Sequence, residues 1–237
     1  MRLPWEVDNM TKDMLKNERD FVVPGDEIVK SMDYLPGKHT FREGDSIYAK
    51  GLGVVSISGR VVSMIPLSGV YTPKVGDMVI GEVKEIQGNG WVVDISSICE
   101  AYLPLSGVRD YIDTSRTRLD SVYAIGELLY AKIGAVNSAD SVHLSMQDSR
   151  SRKFNGGRIV RISPSKVPRL IGKMGSMINT IKDKTGCRIS VGQNGYVWLD
   201  GENIELAMQA IDMIEEKAHK TSGLTDAVAD FLGGKKK

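Results

Sequence analysis

Residues 168–191 of this chain, PRLIGKMGSMINTIKDKTGCRISV, decide the fold of its C-terminal half. Within them, Gly172-Lys173-Met174-Gly175 separates a short apolar turn from a run with helical spacing, which includes Met177, Ile178 and Ile181. Two glycines allow the backbone to bend sharply and to approach a partner closely. Because the helix that follows presents free N–H groups at its start, the partner that best fits such a bend is a phosphate group.

The flanks of this bend indicate a complete α/β module over residues 155–219. Residues 158–162, 188–191 and 196–199 alternate as strands do, and residues 204–214 repeat at helical spacing. The resulting order resembles a type I KH domain, whose GxxG loop clamps about four nucleotides of single-stranded nucleic acid. The alternative is a small α/β module whose glycines serve only packing.

Charge along the chain is uneven, although the net charge of the 237 residues is only +1. Eight cations and no acid lie between residues 150 and 173, whereas the last helix of the module is acidic. This asymmetry predicts a basic face that suits phosphates, with solvated surface charge as the alternative. The RNA-binding residues expected in the KH-like module are Gly172, Lys173, Met174 and Gly175 in the loop, and Arg161, Lys166 and Arg169 beside it.

Residues 68–148 read as five short strands, with an irregular connection before the fourth. The strands are predicted at 78–86, 91–95, 101–104, 128–133 and 141–146, and Asn89-Gly90 gives a hairpin turn between the first two. This pattern resembles an OB-fold barrel of the S1 type, a fold that binds single strands along a basic groove with aromatic side chains.

The S1 resemblance is incomplete at two positions. Val92 replaces an aromatic residue and Pro104 replaces a histidine of many S1 domains, so contacts to the RNA backbone are expected to outweigh base stacking. Trp91 is expected in the barrel core. For Tyr102, a position in the core and a contact with RNA are both left as alternatives. The candidate RNA-binding residues of this domain are Tyr102, Arg109, Arg116, Arg118, Lys132 and His143.

The fold class predicted for the whole chain is multidomain and mainly β, with one α/β module. Residues 1–67 form an N-terminal β domain with balanced charge, which is typical of a docking platform. Residues 68–148 form the S1-type barrel and residues 149–220 the KH domain. Residues 221–237 are expected to form a short amphipathic helix and a basic tail.

Several functional classes find no support in the sequence. Cys99 and Cys187 are isolated, so neither a zinc site nor a disulfide framework is expected. The histidines are scattered, and neither a nucleophile–base pair nor a P-loop is visible, so no catalytic residue, metal or cofactor is predicted. The N-terminus lacks a signal-peptide pattern, and glycine, arginine and proline interrupt the most apolar stretch, residues 52–71. We therefore expect a cytoplasmic protein without a membrane partner.

The order of N-terminal β domain, S1 domain and KH domain resembles the KH-containing cap subunits of the archaeal RNA exosome. This resemblance implies a non-catalytic subunit, present in three copies on a hexameric ring of RNase PH-like proteins that degrades RNA from its 3′ end by phosphorolysis. The N-terminal domain would help to anchor the cap, and Arg109, Arg116 and Arg118 would steer RNA toward the ring. The resemblance leaves undecided whether this subunit and the zinc-ribbon cap subunit occur together on one ring. The alternative function is a free-standing S1/KH factor in transcription or translation.

Overall fold

The computed structural model of the protein describes residues 14–67, 69–113, 116–137, 141–217 and 224–233. The chain divides into two compact units, Met1–Gly69 and Val70–Lys237. Residues 1–13, His219 and the predicted basic tail beyond residue 233 lie outside the described residues. Within the described residues, no helix has the length and apolar character needed to cross a membrane.

The first unit contains two small sheets around one core. Its strands are β1 (Phe21–Val22), β2 (Glu27–Lys30), β3 (Leu35–Pro36), β4 (Thr40–Glu43), β5 (Ser46–Ala49), β6 (Gly53–Ser58) and β7 (Val61–Pro66). The sheet orders are β1-β6-β7-β3 and β2-β5-β4. Strands β6 and β7 bury alternate residues, and Ile28, Ile47 and Val62 are fully buried in the shared core.

The S1-type barrel opens the second unit. Its strands are β8 (Met78–Gln87), β9 (Gly90–Asp94), β10 (Ala101–Pro104), β11 (Leu128–Val136) and β12 (Val142–Ser145), with the short helix α1 (Leu119–Val122) in the long connection. The order β12-β10-β9-β8-β11 closes through pairing of β11 with β12, and β13 (Arg152–Lys153) adds to the outer edge of β11. The predicted five-stranded barrel is therefore confirmed, and Trp91 is fully buried in its core as expected.

The KH domain follows with the predicted type I topology. Its elements are β14 (Arg158–Arg161), α2 (Val167–Ile171), α3 (Ser176–Thr185), β15 (Arg188–Val191), β16 (Tyr196–Asp200) and α4 (Ile204–Lys217). The sheet order is β14-β16-β15. Helix α5 (Leu224–Gly233), which the sequence places after the domain, packs against α3 and α4, and its Val228 and Leu232 are buried in the KH core.

The barrel and the KH domain meet in a buried junction within the second unit. The β15–β16 turn inserts Asn194 against the barrel, where its side-chain amide bonds to the backbone of Ile80 and Ile95. The Tyr130 hydroxyl of β11 donates to the Val191 carbonyl oxygen at 3.0 Å. Phe154 and Trp198 pack on Ile80 in an apolar cluster. These contacts fix the position of the KH domain against the barrel.

Candidate nucleic-acid interface

The GxxG loop forms the link between α2 and α3. Gly172 adopts φ 74° and ψ 174°, and a 3-10 turn over Lys173–Gly175 leads directly into Ser176. A Cβ atom on Gly172 would lie only 2.7 Å from the Met177 backbone nitrogen, so no other residue fits without displacement of the chain. The glycine thus allows α2 and α3 to approach each other closely at the loop.

The loop presents two side chains and an uncapped helix start to solvent. Lys173 is exposed, and Met174 is 97% exposed with a left-handed φ of 53°. No side chain caps α3 at Gly175, and its first turn contains no acidic residue. The free N–H groups and the positive end of the helix dipole at this position favour an anion such as a phosphate.

The three predicted flanking cations occupy different environments. Arg169 is exposed in the last turn of α2. Lys166 donates to the Glu215 carbonyl oxygen at 2.9 Å and lies 3.9 Å from a Glu215 carboxylate oxygen, so it attaches the loop region to α4. Arg161 lies over the Tyr196 ring at 4.9 Å and donates to the Ser96 hydroxyl of the barrel. The role of all three residues in RNA binding stays a prediction, and Arg161 and Lys166 also support the fold.

Two ring-bearing residues and a valine lie side by side across three strands of the barrel. Val92, Tyr102 and His143 are register partners across β9, β10 and β12. The Tyr102 and His143 rings meet edge to face, with centroids 6.2 Å apart, and both residues are half-buried. The predicted pair of ring-bearing residues therefore forms one patch. Val92 is almost fully buried, so it adds little accessible surface to the patch.

Two of the predicted S1 cations meet at Asp148, which the sequence did not single out. Lys132 Nζ lies 3.3 Å from an Asp148 carboxylate oxygen, and Arg109 donates to the Asp148 carbonyl oxygen at 2.8 Å. Arg150 bonds to the same carboxylate at 3.0 Å. The Arg150 guanidinium holds the pKa of Asp148 well below its usual range, so this carboxylate stays charged and orients the cations around it.

Arg116 and Arg118 lie apart from this group, in the long connection between β10 and β11. Arg116 approaches Asp113 at 3.6 Å, and Arg118 pairs with Asp120 at 2.7 Å. Both arginine side chains are highly exposed, and such surface pairs contribute little free energy. A phosphate could therefore replace either carboxylate partner at small cost, and their predicted contact with RNA stays a prediction.

Two further arginines, Arg152 and Arg188, had no role predicted from the sequence. Both guanidinium groups lie against the ring of Trp198 at the junction of the barrel and the KH domain. Arg152 belongs to the basic run noted in the sequence, but the sequence did not show that it lies against Trp198. Among the described residues, no group of three or more histidine, cysteine or acidic side chains could hold a metal ion.

Comparison with known families matches both domains of the second unit. Residues 70–133 match a family described as the RRP4 S1 domain, and residues 157–205 match the KH domain family. These two matches cover the barrel through most of β11, and the KH domain from β14 to the start of α4.

Curated relatives match almost the whole chain. The exosome complex component Rrp4 of Methanothermus fervidus is 43% identical over 217 residues, which cover 91% of this chain and 96% of that protein. The protein of the same name from Thermococcus kodakarensis is 43% identical, over 93% of this chain and 88% of its own length. A crystal structure described as an exosome complex RNA-binding protein superposes with a TM-score of 0.62 and is 34% identical. It covers 70% of this chain and 97% of its own.

Proposed function

The chain belongs to the family of the exosome complex component Rrp4, and from this premise we propose that it is a non-catalytic, RNA-binding cap subunit of an archaeal exosome. The observation that supports this proposal best is the exposed GxxG loop on a KH domain fixed to an S1-type barrel. Both domains are of kinds that bind single-stranded RNA, and the relatives that match more than 90% of this chain are named exosome complex component Rrp4.

The proposed subunit guides the 3′ end of single-stranded RNA into a hexameric ring of RNase PH-like proteins, which performs the phosphorolysis. The GxxG loop and Arg169 hold the RNA backbone, and the Tyr102–His143 patch with Lys132 and Arg109 contacts it on the barrel. We propose three copies of this subunit on each ring, with the zinc-ribbon cap subunit as an alternative occupant, and a cytoplasmic location.

The N-terminal unit offers a face that suits attachment to the ring. Phe21, Val54 and Ile65 are register partners across β1, β6 and β7, and Phe21 and Ile65 are 62% and 58% exposed. Leu35 and Val61 pair on the neighbouring strands and are also exposed. An apolar patch on a sheet face is typical of a protein interface rather than of a free surface. We propose this face as the contact with the ring.

Replacement of Phe21 and Ile65 together by glutamate is expected to abolish attachment to the ring without weakening RNA binding by the isolated chain. Two charges on an apolar interface would have to be desolvated on assembly, whereas both side chains point to solvent in the free chain. Size-exclusion chromatography of the mixture with RNase PH-like subunits measures the attachment. Lys50→Glu, at an exposed position of the same unit, serves as the control. Co-elution of the double variant with the ring would contradict the assignment of this face.

Reconstitution of the ring with and without this chain tests the function itself. We expect the cap to increase the rate of phosphorolysis of single-stranded RNA by the ring, and the isolated chain to release no nucleotides. The rate is followed as nucleoside diphosphate formed from labelled RNA in the presence of phosphate. An unchanged rate with a ring that has bound this chain would contradict a role in RNA delivery.

A further inference from the structure

Two arginines cover a stacked pair of aromatic rings where the barrel meets the KH domain. The Phe154 and Trp198 rings stack with centroids 4.4 Å apart and an angle of 15°. The Arg152 guanidinium carbon lies 5.4 Å from the Phe154 centroid and 5.8 Å from that of Trp198, and Arg188 lies 5.9 Å from Trp198. Cation–π contacts of this kind hold a guanidinium in place while its N–H edge stays available for other partners.

The surroundings of these arginines leave their charge accessible to solvent. Arg152 is exposed and donates one bond to the Ser190 hydroxyl, which is neutral. The Arg188 side chain is 78% exposed and pairs with Asp200. Trp198 and Phe154 are only 4% and 6% exposed, so no base can stack on their rings. A ligand at this position would therefore meet guanidinium groups and not aromatic faces.

The positive surface continues from these arginines onto the barrel. Arg152 is the register partner of Tyr130 on β11, and Arg150, two residues earlier, shares Asp148 with Lys132 and Arg109. The cations thus form a series of linked contacts from the barrel to the KH sheet, which we call the junction strip. The junction strip consists of Arg109, Lys132, Arg150, Arg152 and Arg188.

The charge of the junction strip is not balanced by its own partners. Four of the five cations contact two acidic residues, Asp148 and Asp200, and Arg152 donates to the neutral Ser190 hydroxyl. The buried junction that Asn194 closes holds the two halves of the strip in one geometry. A fixed series of cationic side chains with excess positive charge matches a polyanion with regularly spaced phosphates.

We propose that the junction strip binds the phosphodiester backbone of single-stranded RNA as the strand passes from the barrel to the KH domain. This inference rests on the proposed function, and it adds Arg150, Arg152 and Arg188 to the RNA-binding residues. Because the strip contacts phosphates and its rings are covered, its contribution to binding is independent of base sequence and sensitive to salt.

The test compares oligouridine binding by the full chain and by the Arg152→Gln/Arg188→Gln variant over a series of salt concentrations. Loss of two phosphate contacts is expected to weaken binding by about tenfold at about 0.1 M salt and to reduce the slope of log K against log salt by about 1.4. Arg60→Gln, at an exposed arginine of the N-terminal unit, is the matched control and should leave both values unchanged. Fluorescence anisotropy of a labelled oligomer long enough to span both domains gives the affinities.

A double lysine variant distinguishes binding of phosphates by the two arginine charges from a purely structural role of the two side chains. Arg152→Lys/Arg188→Lys keeps both charges and should retain the salt slope, because lysine also binds phosphates. Equal losses in the lysine and glutamine variants would assign the arginines to packing alone and overturn the proposal, as would an unchanged slope in the glutamine variant. If the double variant has a lowered melting temperature, Arg188→Gln alone, at the more exposed position, should reduce the slope by about 0.7. Failure of the unmodified chain to bind RNA would instead contradict the proposed function.

Discussion

Exchange of Lys173 and Met174 together for aspartate is expected to weaken the binding of single-stranded RNA by about tenfold or more, which corresponds to about 1.4 kcal/mol or more. The change removes one positive charge and adds two negative charges where the loop and the start of α3 would meet phosphates. Fluorescence anisotropy with a labelled single-stranded oligomer measures the affinity.

The fold should tolerate this double change. Both side chains are exposed, so no packing is lost. Met174 has a left-handed backbone conformation, which aspartate adopts more readily than methionine does. Gly172→Asp would be a poorer test, because a Cβ atom at that position collides with the start of α3 and changes the loop itself.

A matched control for the loop variant exists in the N-terminal unit. Lys50→Asp/Leu52→Asp replaces another exposed lysine and a nearby exposed apolar residue by the same acids, and it should leave RNA affinity unchanged. Equal affinity of the loop variant and the unmodified chain at low salt would show that the GxxG loop is not an RNA site. The barrel and the junction strip would then account for all binding.

Asn194→Leu is expected to lower the free energy of unfolding of the second unit by about 3 kcal/mol or more. The change leaves three buried backbone groups without a partner, and each such loss costs about 1 to 3 kcal/mol. Asn194 is 5% exposed, and its Oδ1 accepts from the Ile80 backbone nitrogen at 3.2 Å. Its Nδ2 donates to the carbonyl oxygens of Ile80 and Ile95 at 2.7 Å and 2.8 Å. Leucine has a similar volume and supplies none of these bonds.

The backbone N–H and C=O groups of Ile80 bond to Asn194 because they lie beyond the end of the pairing between β8 and β9. Strand β9 pairs with β8 only from Glu82 onward, so Ile80 lies beyond the last rung on that side. The amide of Asn194 therefore replaces a missing strand partner. Urea denaturation followed by tryptophan fluorescence gives the free energy of unfolding, and hydrogen exchange at the Ile80 amide reports the junction directly.

Gln193→Leu provides the control for this variant. Gln193 belongs to the same turn and contacts the barrel through its backbone nitrogen, which donates to the Met78 carbonyl oxygen at 2.8 Å whatever its side chain. The control should therefore retain nearly full stability. If Asn194→Leu and Gln193→Leu lowered stability equally, the side-chain amide would not hold the junction together.

The strands of the barrel and the helices of the KH domain could be predicted from the sequence, because each is indicated by a pattern of residues that lie close together in the chain. Alternation of apolar residues and the Asn89-Gly90 turn predicted the strands of the barrel, and the GxxG motif with its flanking spacing predicted the KH helices. The resemblance to the exosome cap family is confirmed by relatives that match nearly the whole chain. Strand β11 runs to Val136, beyond the predicted end at 133, with a register shift between Ile133 and Ala135 that alternation alone does not reveal.

The contacts that organise the candidate site could not be predicted, because they join residues far apart in sequence. Asn194 lies between the predicted strands at 188–191 and 196–199, but its hydrogen-bond partners lie 114 and 99 positions earlier. In the same way, the sequence showed that α5 has an apolar face without showing that the KH core lies against it. A run of cations identified Arg161 and Lys166, whereas Tyr196 and Glu215, which hold them, became evident only in the structure.

The exosome assignment is tested by affinity purification of a tagged copy of this chain from its own cells, with mass spectrometry of the proteins that copurify. We expect RNase PH-like subunits in stoichiometric amounts, together with RNA that crosslinks to the second unit. Recovery of the chain alone, or with ribosomal or RNA polymerase subunits instead, would contradict the exosome assignment and favour a free-standing RNA-binding factor.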